Sequence, residues 1–327
     1  MSSTASVGYI AMRILIVCSG NAPNFNFQKH QAFIYDQAEA LKRVNTKLLI
    51  DYFFITGKGI TGYLSCLGTL RDQLECHQYD LIHAHVALSG LLANLQRKVP
   101  VVTTFHGSDI NVPTLRLASS VVDLLSSKTI YISKALAEKA FYAGKDKQTV
   151  IPCGVDFDLF MPRLKADSRK RLGLSVSKRF ILFSSAFTVA VKNYPLARAA
   201  VDLVQDGSTE LLELANYSRS EVALLFTAVD VALMTSFSEG SPQFIKEALA
   251  CNCPVVSTDV GDVRLVMERI AGCYICSYEP ADVADKLRKA LALTSPIDAR
   301  PHIQRFSNQL IAGQIHSIYQ QLCTVER

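Results

Sequence analysis

From Met12 onward, short apolar runs rich in β-branched residues alternate with stretches whose apolar positions recur at helical spacing. RILIVC (13–18), KLLIDYFFI (47–55), DLIHAH (80–85), VVTTFHG (101–107), TIYIS (129–133) and TVIP (149–152) predict buried strands. Residues 28–43, 63–74, 86–95, 115–125 and 134–142 predict helices between them. A polar, basic stretch at 163–179 reads as a linker with a short helix. A second series of strands follows at FILFSS (180–185), ELLEL (210–214), VALMTS (231–236), PVVST (254–258) and CYIC (273–276). The last helix, 303–322, carries Ile311, Ile315, Tyr319 and Leu322 on one face. Such alternation predicts an α/β protein built from doubly wound parallel sheets.

Composition sets the scale. The 327 residues are 49% hydrophobic and 19% charged, enough for two cores and too apolar for disorder. We therefore expect two domains, 12–160 and 161–327. No apolar run reaches the roughly 18 residues of a membrane span. Residues 1–11 lack the basic start and apolar stretch of a signal peptide, so a cytoplasmic location is expected. Nine cysteines without framework spacing suit reduced thiols. Cys251/Cys253 are too close for a usual zinc knuckle, and with Cys273/Cys276 they fall on a helix end and a strand. Residues 1–155 hold 15 Lys/Arg against 10 Asp/Glu, whereas 156–327 hold 19 of each, so the whole net charge of +5 lies in the first half. Lys42, Arg43, Lys47, Lys58, Arg97 and Lys98 contribute to it. That basic half is either a solvated surface or one drawn to an anionic membrane or a pyrophosphate-bearing acceptor. No basic block with interleaved aromatics points to nucleic acid.

The densest chemistry lies in SFSEGSPQFIKEALACNCPVVSTDVG (236–261). A strand ending at Ser236 is followed by a loop and then by FIKEALA at helical spacing. Ser241 is placed to cap that helix and Pro242 to be its first residue. The loop thus brings a helix N-terminus, with its backbone N–H groups at 241–244, to the carboxyl end of a strand. That arrangement suits a phosphate or pyrophosphate. Glu239 stands at the mouth and Glu247 roughly two turns deeper. A carboxylate beside a phosphate is unfavourable, so both are assigned to hydroxyls. One phosphate cradle with two hydroxyl acceptors points to a nucleotide sugar. The plain alternative is a strand-to-helix turn with a solvated Glu.

Three other positions carry weight. His83 and His85 share one face of a strand, as a metal pair would, but only His106 with Asp109 qualifies as a further ligand downstream, so one histidine packed in a cleft and one satisfied in the core is the better reading. His106, in HGSD (106–109), follows an apolar strand and precedes a polar turn, which directs it to a cleft, while Asp109 reads as a turn or cap residue. Lys192, after strand 180–185, supplies a point charge for a departing phosphate. The loop 19–33 has one glycine, too few for a dinucleotide fingerprint.

The Glu-x7-Glu segment resembles the motif of retaining glycosyltransferases with two facing Rossmann-like domains, the GT-B fold of glycosyl transferases group 1, of the bacterial polysaccharide type. DLIHAH, VVTTFHGSD, IYISKALAEK (130–139), VIPCGVDFDLF (150–160) and VKNYPLA (191–197) follow in that family's order. The resemblance implies that the N-terminal domain binds the acceptor and the C-terminal domain the donor, with the terminal helix crossing back toward the first domain. It implies that Glu247 holds ribose and Glu239 the sugar hydroxyls. His106 would touch the sugar, and Gly20 would line the donor. The donor-binding set is then Glu247, Gly240, Ser241, Pro242, Gln243, Phe244 and Gly20, and the catalytic set Glu239, Lys192 and His106.

The chain departs from the family in four places. Phe187 stands where a second cation is usual, Cys153 replaces Asn in the PNGVD wording, and Asp262 replaces the second Gly of a Gly-Gly pair. Only positions 193–238 separate Lys192 from Glu239, so the second sheet is one β/α unit smaller or has lost a part. The expected activity is metal-independent retaining transfer, with no cofactor. The donor is a nucleoside diphosphate sugar, a UDP-sugar ahead of a GDP-sugar, and the acceptor a glycan or polyprenyl-linked glycan. The site of action is expected in the cytoplasm or at the inner face of an anionic membrane. A catalytically impaired nucleotide-sugar-binding homologue and a GT-B epimerase are the alternatives.

Overall fold

The structure, a computed structural model, describes residues 11–140, 146–204 and 207–325. It contains two compact units, Met1–Pro152 with Gln309–Arg327, and Cys153–Asn308. The boundary precedes the expected 160/161 because 153–160 pack into the second unit. There Val155 N–H donates to the Phe306 carbonyl at 2.8 Å, and Phe160 is fully buried among Phe180, Phe226 and their neighbours.

In the first unit six parallel strands lie in the order β2-β1-β3-β4-β5-β6. They are β1 (Met12–Ser19), β2 (Leu48–Ile55), β3 (Leu81–His85), β4 (Val101–Phe105), β5 (Lys128–Tyr131) and β6 (Gln148–Val150). β1 and β3 are buried nearly throughout because helices cover both sheet faces. One cover is the terminal helix Asn308–Val325, whose Ile311, Ala312, Ile315, Ile318 and Tyr319 pack with Ile14, Leu41 and Leu81. Burying each large apolar side chain contributes about 1.5–3 kcal/mol, which explains why this helix joins the first unit. Residues Arg300–Phe306 form a 3-10 helix, so the terminal helix starts later than its apolar pattern suggests. The helix expected at 28–43 is broken at Gln31, whose backbone leaves helical geometry. The one expected at 63–74 is also two pieces, Gly59–Leu64 and Leu67–Cys76.

The second unit has five parallel strands in the order β11-β10-β9-β7-β8. They are β7 (Arg179–Phe183), β8 (Thr209–Glu213), β9 (Val231–Met234), β10 (Val255–Thr258) and β11 (Tyr274–Cys276). The strand order reverses between β7 and β9, where a ligand crevice forms at the carboxyl ends of such sheets. Helices Arg219–Ala228 and Gln243–Ala250 cover one face, and Tyr194–Val204 with Pro280–Leu291 the other. The stretch at 163–179 is not a free linker. Arg169, almost fully buried, binds the carbonyls of Ala228, Val176 and Lys178 and pairs with Asp230 at 2.8 Å.

Candidate functional site

The reversal between β7 and β9 sets two loops side by side. After β7 the chain makes a 3-10 turn, Ala190–Lys192, ended by Asn193 at φ 56°. After β9 comes the Glu239 loop. Phe237 N–H donates to the Val191 carbonyl at 2.9 Å, and Thr235 Oγ1 donates to the Lys192 and Asn193 carbonyls at 3.0 Å each. With the backbones so joined, Lys192 Nζ reaches Glu239 Oε1 at 2.6 Å, and Ser236 Oγ donates to the same oxygen at 2.7 Å. Both contacts fall on Oε1, which leaves Oε2 to accept from a ligand. Lys192 has three N–H donors, so the ion pair uses one.

The Glu239 loop needs a glycine opposite it. Gly261, after β10, has φ +61°, and a Cβ there would stand 2.6 Å from the Gly240 carbonyl oxygen. A side chain at 261 would push the loop away.

The helix Gln243–Ala250 begins one residue later than expected. Pro242, not Ser241, is the N-cap, and it offers no side-chain hydrogen bond. Ser241 is engaged elsewhere, donating to Asp262 Oδ2 at 2.5 Å and accepting from Lys246 Nζ at 2.5 Å. Lys246 is fully buried, contacts the Cys153 carbonyl at 3.2 Å, and lies 4.9 Å from the Phe306 ring centre. Burial pushes the Lys246 ammonium down and the Asp262 carboxyl up, while each opposite charge partly restores the other. Burial also pushes the Cys153 thiol up to about 11, so it is inert as a nucleophile. Gln243 Nε2 donates to the Gly154 carbonyl at 2.7 Å. The Phe244 side chain is core, 5.3 Å from the Phe226 ring centre, so only its backbone N–H can serve a ligand. The first N–H groups of a helix have no partner within it, and since Pro242 has no N–H, those of Ser241, Gln243 and Phe244 are the ones at this end.

Glu247 is buried on this helix and pairs with Arg219 at 2.7 Å; the Arg219 guanidinium lies over the Phe160 ring at 4.8 Å. Ser218 and Glu221 form a capping box at the head of the helix carrying Arg219. Phe187 stacks on Tyr194 at 4.2 Å in the place of the missing cation. Sequence reasoning missed Arg219 and Lys246. The Ser-x-x-Glu signature at 218–221 marks Arg219 as first-turn, but its pairing with Glu247 is tertiary. Beside the loop, exposed Phe237 and Tyr278 stack 5.7 Å apart, and the Tyr278 hydroxyl donates to the Ser236 carbonyl at 3.0 Å.

In the first unit the imidazoles of His83, His85 and His106 form a row, with centres 4.4 and 5.2 Å apart. His83 bonds the Tyr319 hydroxyl at 2.5 Å and Thr104 Oγ1 at 2.7 Å, while His85 Nδ1 lies 2.9 Å from His106 Nε2. Both residues of the HAH pair are thus buried on one side, His83 in the core. Burial holds His83 and His106 down to about 3, so the row is neutral near pH 7. Asp109 is a structural tie, accepting from the N–H groups of Ala87 and His106 at 2.9 Å each. Val86, just after His85, has φ 68° and ψ 157°, a region costly for a β-branched residue. Gly20 N–H donates to the Ile55 carbonyl at 2.8 Å, and a Cβ there would lie 3.0 Å from Phe54 Cβ. His106 and Gly20 belong to the first unit, and the other expected site residues to the second. Among the described residues no group of three His, Cys, Asp or Glu is arranged for a metal ion, and all nine cysteines are free thiols.

Residues 16–159 match the family described as Glycosyltransferase Family 4, and residues 182–292 match Glycosyl transferases group 1. A D-inositol 3-phosphate glycosyltransferase of Thermobispora bispora is 26% identical over 318 residues, covering 77% of this chain and 73% of that protein. The putative teichuronic acid biosynthesis glycosyltransferase TuaC of Bacillus subtilis is 28% identical over 211 residues, 56% of this chain and 54% of its own length. A sucrose-phosphate synthase from Thermosynechococcus elongatus superposes with a TM-score of 0.80 at 18% identity, over 96% of this chain and 100% of that one. Anabaena HepE, in complex with UDP and glucose, gives 0.74 at 18% identity, over 95% and 100%. The chain is a glycosyltransferase with the GT-B fold, and its relatives support transfer from a nucleotide sugar.

Proposed function

We propose that this enzyme is a retaining, metal-independent glycosyltransferase that takes a hexose from a UDP-sugar and passes it to a glycan or polyprenyl-linked glycan at an anionic membrane surface. The observation that carries the reading is the Lys192–Glu239 pair beside the N-terminus of Gln243–Ala250.

In this reading the backbone N–H groups of Ser241, Gln243 and Phe244 and the two remaining Lys192 donors receive the diphosphate. As the glycosidic bond breaks, charge grows on the leaving phosphate oxygen, and these donors are already oriented toward it. Lys192 is held by Glu239, so little reorganisation is required. Glu239 Oε2 accepts from the sugar hydroxyls, and Glu247, kept rigid by Arg219, accepts from the ribose. The neutral His106 offers hydrogen bonds to uncharged hydroxyls rather than charge to a phosphate. With no protein nucleophile assigned, the acceptor attacks the face from which the diphosphate departs, and its proton passes to the leaving oxygen. Lys246 adds a second cation at Ser241, though it is shared with Asp262, which bears on the cation absent at Phe187.

The deciding experiment follows the anomeric configuration of the product and nucleotide release, using a panel of nucleotide sugars with EDTA present. Release of UDP and a product with the donor's anomeric configuration is the expected result. Loss of release with EDTA, or an inverted product, contradicts the reading. A binding-only homologue would take up nucleotide without releasing sugar; the intact Glu239 and Glu247 pairs count against it.

A further inference from the structure

Helix Pro113–Leu125 in the first unit carries an apolar stripe on its exposed side. Leu117, Val121 and Leu124, at spacings of four and three, share one face and are 69%, 44% and 56% exposed. Ser119, Asp123 and Ser126, on the opposite side of the same turns, are buried. The buried polar groups are satisfied. Ser119 Oγ donates to the Asp109 carbonyl at 3.0 Å, and Asp123 accepts from Thr129 at 2.5 Å and from Gln148 at 3.0 Å. Ser126 meets Thr103 at 2.9 Å and Asn94 at 3.0 Å. The inward face thus combines a built hydrogen-bonded seam with the buried Val122, while Leu117, Val121 and Leu124 stay exposed. In water a surface helix normally shows the opposite arrangement. Val112, just before the helix, is also exposed.

The surroundings of this stripe are basic. Lys147 Nζ lies at the helix's carboxyl end, 3.2 Å from the Leu124 carbonyl oxygen. Lys128 donates to the Asp146 carbonyl at 2.9 Å, and Lys139 to Asn111 Oδ1 at 3.3 Å beside the amino end. Of the acids in this stretch Asp109 and Asp123 are buried, Glu138 lies 3.6 Å from Lys134, and Asp146, next to Lys147 in sequence, is exposed. Elsewhere on the unit, two basic residues singled out from sequence are offset by acids: Lys42 pairs with Glu39 and Lys98 with Glu75, both at 2.9 Å.

We propose that the Leu117–Val121–Leu124 face is the surface by which the first unit docks on an anionic lipid bilayer, the three apolar side chains entering the headgroup boundary while Lys128, Lys139 and Lys147 meet lipid phosphates. An apolar stripe rimmed by cations fits an anionic interface, since burial of the stripe and attraction of the rim add together. A second protein copy would suit the stripe but would set the same cations against each other across a two-fold axis. The inference rests on the membrane partner named in the reading above and locates it.

Co-sedimentation with phosphatidylcholine vesicles, with and without about a third of phosphatidylglycerol, tests this. The full chain should bind the anionic vesicles, and Leu117→Gln/Val121→Gln/Leu124→Gln should lower the partition about tenfold or more. Lys128→Gln/Lys147→Gln should lower it less, and chiefly at low salt. Far-UV circular dichroism checks that both variants remain folded. The sequence contains no tryptophan, so Leu117→Trp adds a single reporter whose emission should shift blue on anionic vesicles. Binding unchanged in the triple variant, or binding without a blue shift, would falsify this surface while leaving a membrane partner in place. A wild-type chain that ignores both vesicles ends the membrane reading itself. If sedimentation instead shows a dimer that the triple variant dissociates, the occupant is a second copy and the lipid assignment fails. None of these readouts requires donor or acceptor, so the transferase reading is judged separately.

Discussion

Where β3 and β4 end, the first unit gathers three neutral imidazoles; where β7, β9 and β10 end, the second unit gathers two ion pairs and a Lys246–Ser241–Asp262 chain. Both sets are largely buried, so the difference is in charge, not exposure. Buried imidazoles lose their protons and become hydrogen-bonding groups for neutral partners. In the second unit carboxylates stand beside Lys192, Arg219 and Lys246, and an ammonium group with three donors suits an anion. The proposed reading accordingly gives hydroxyls to the first set and the diphosphate to the second.

Acid should break the comparison most strongly. His83 is held down to about 3 and His85 well below its usual value, both by burial. The unfolded state binds protons at these sites below about pH 6.5, and the folded state does not. Their stabilising effect is therefore complete above pH 6.5 and lost as pH falls toward 3. The slope is about 1.4 kcal/mol per pH unit for each histidine held neutral, or about 3 kcal/mol for His83 alone by pH 4.5. Denaturant melts between pH 7 and 4.5 check this. A control that keeps only His106 of the row, His83→Gln/His85→Gln, should make the slope shallower.

Lys246→Met strands Asp262 at the loop and should cost about 3–5 kcal/mol of second-unit stability. Adding Asp262→Asn should restore most of that loss, measured by chemical denaturation. If the double variant is no better than the single one, the two residues are not coupled.

Glu239→Ala should lower turnover about a hundredfold while leaving free UDP affinity nearly unchanged. Glu247→Ala should weaken UDP itself by about tenfold, since ribose is present with or without sugar. Calorimetry with UDP, set beside steady-state rates, separates the two, and equal losses of UDP affinity would contradict the assignment. Smallest of the set, Lys192→Ala should slow turnover by about tenfold, with UDP binding indifferent to EDTA.

Every strand expected from sequence is present, because runs such as RILIVC and VALMTS are apolar at each position and only a sheet covered on both faces buries them. Helix ends were less legible. Gln31 interrupts a helix that its neighbours' spacing would continue, and Ser241 gives up its expected cap for bonds to Asp262 and Lys246. The stretch at 163–179 looked like a linker since Arg169 is a surface residue by type; its partners Ala228 and Asp230 lie far along the chain.

The sequence alone determined the α/β alternation, the two-sheet organisation and the position of the Glu239–Glu247 segment on a strand-loop-helix unit, because hydrophobic period and local turn chemistry are properties of neighbouring residues. Tertiary structure decided which side chains meet. Lys192 reaches Glu239 because the strand order reverses between β7 and β9, and Arg219 reaches Glu247 because two helices pack on one sheet face. The polarity of Pro113–Leu125 was likewise undecidable from spacing, since Leu117, Val121 and Leu124 form as good a core stripe as a surface one. The hydrogen-bonded seam of Ser119, Asp123 and Ser126, together with the buried Val122, turns that stripe outward.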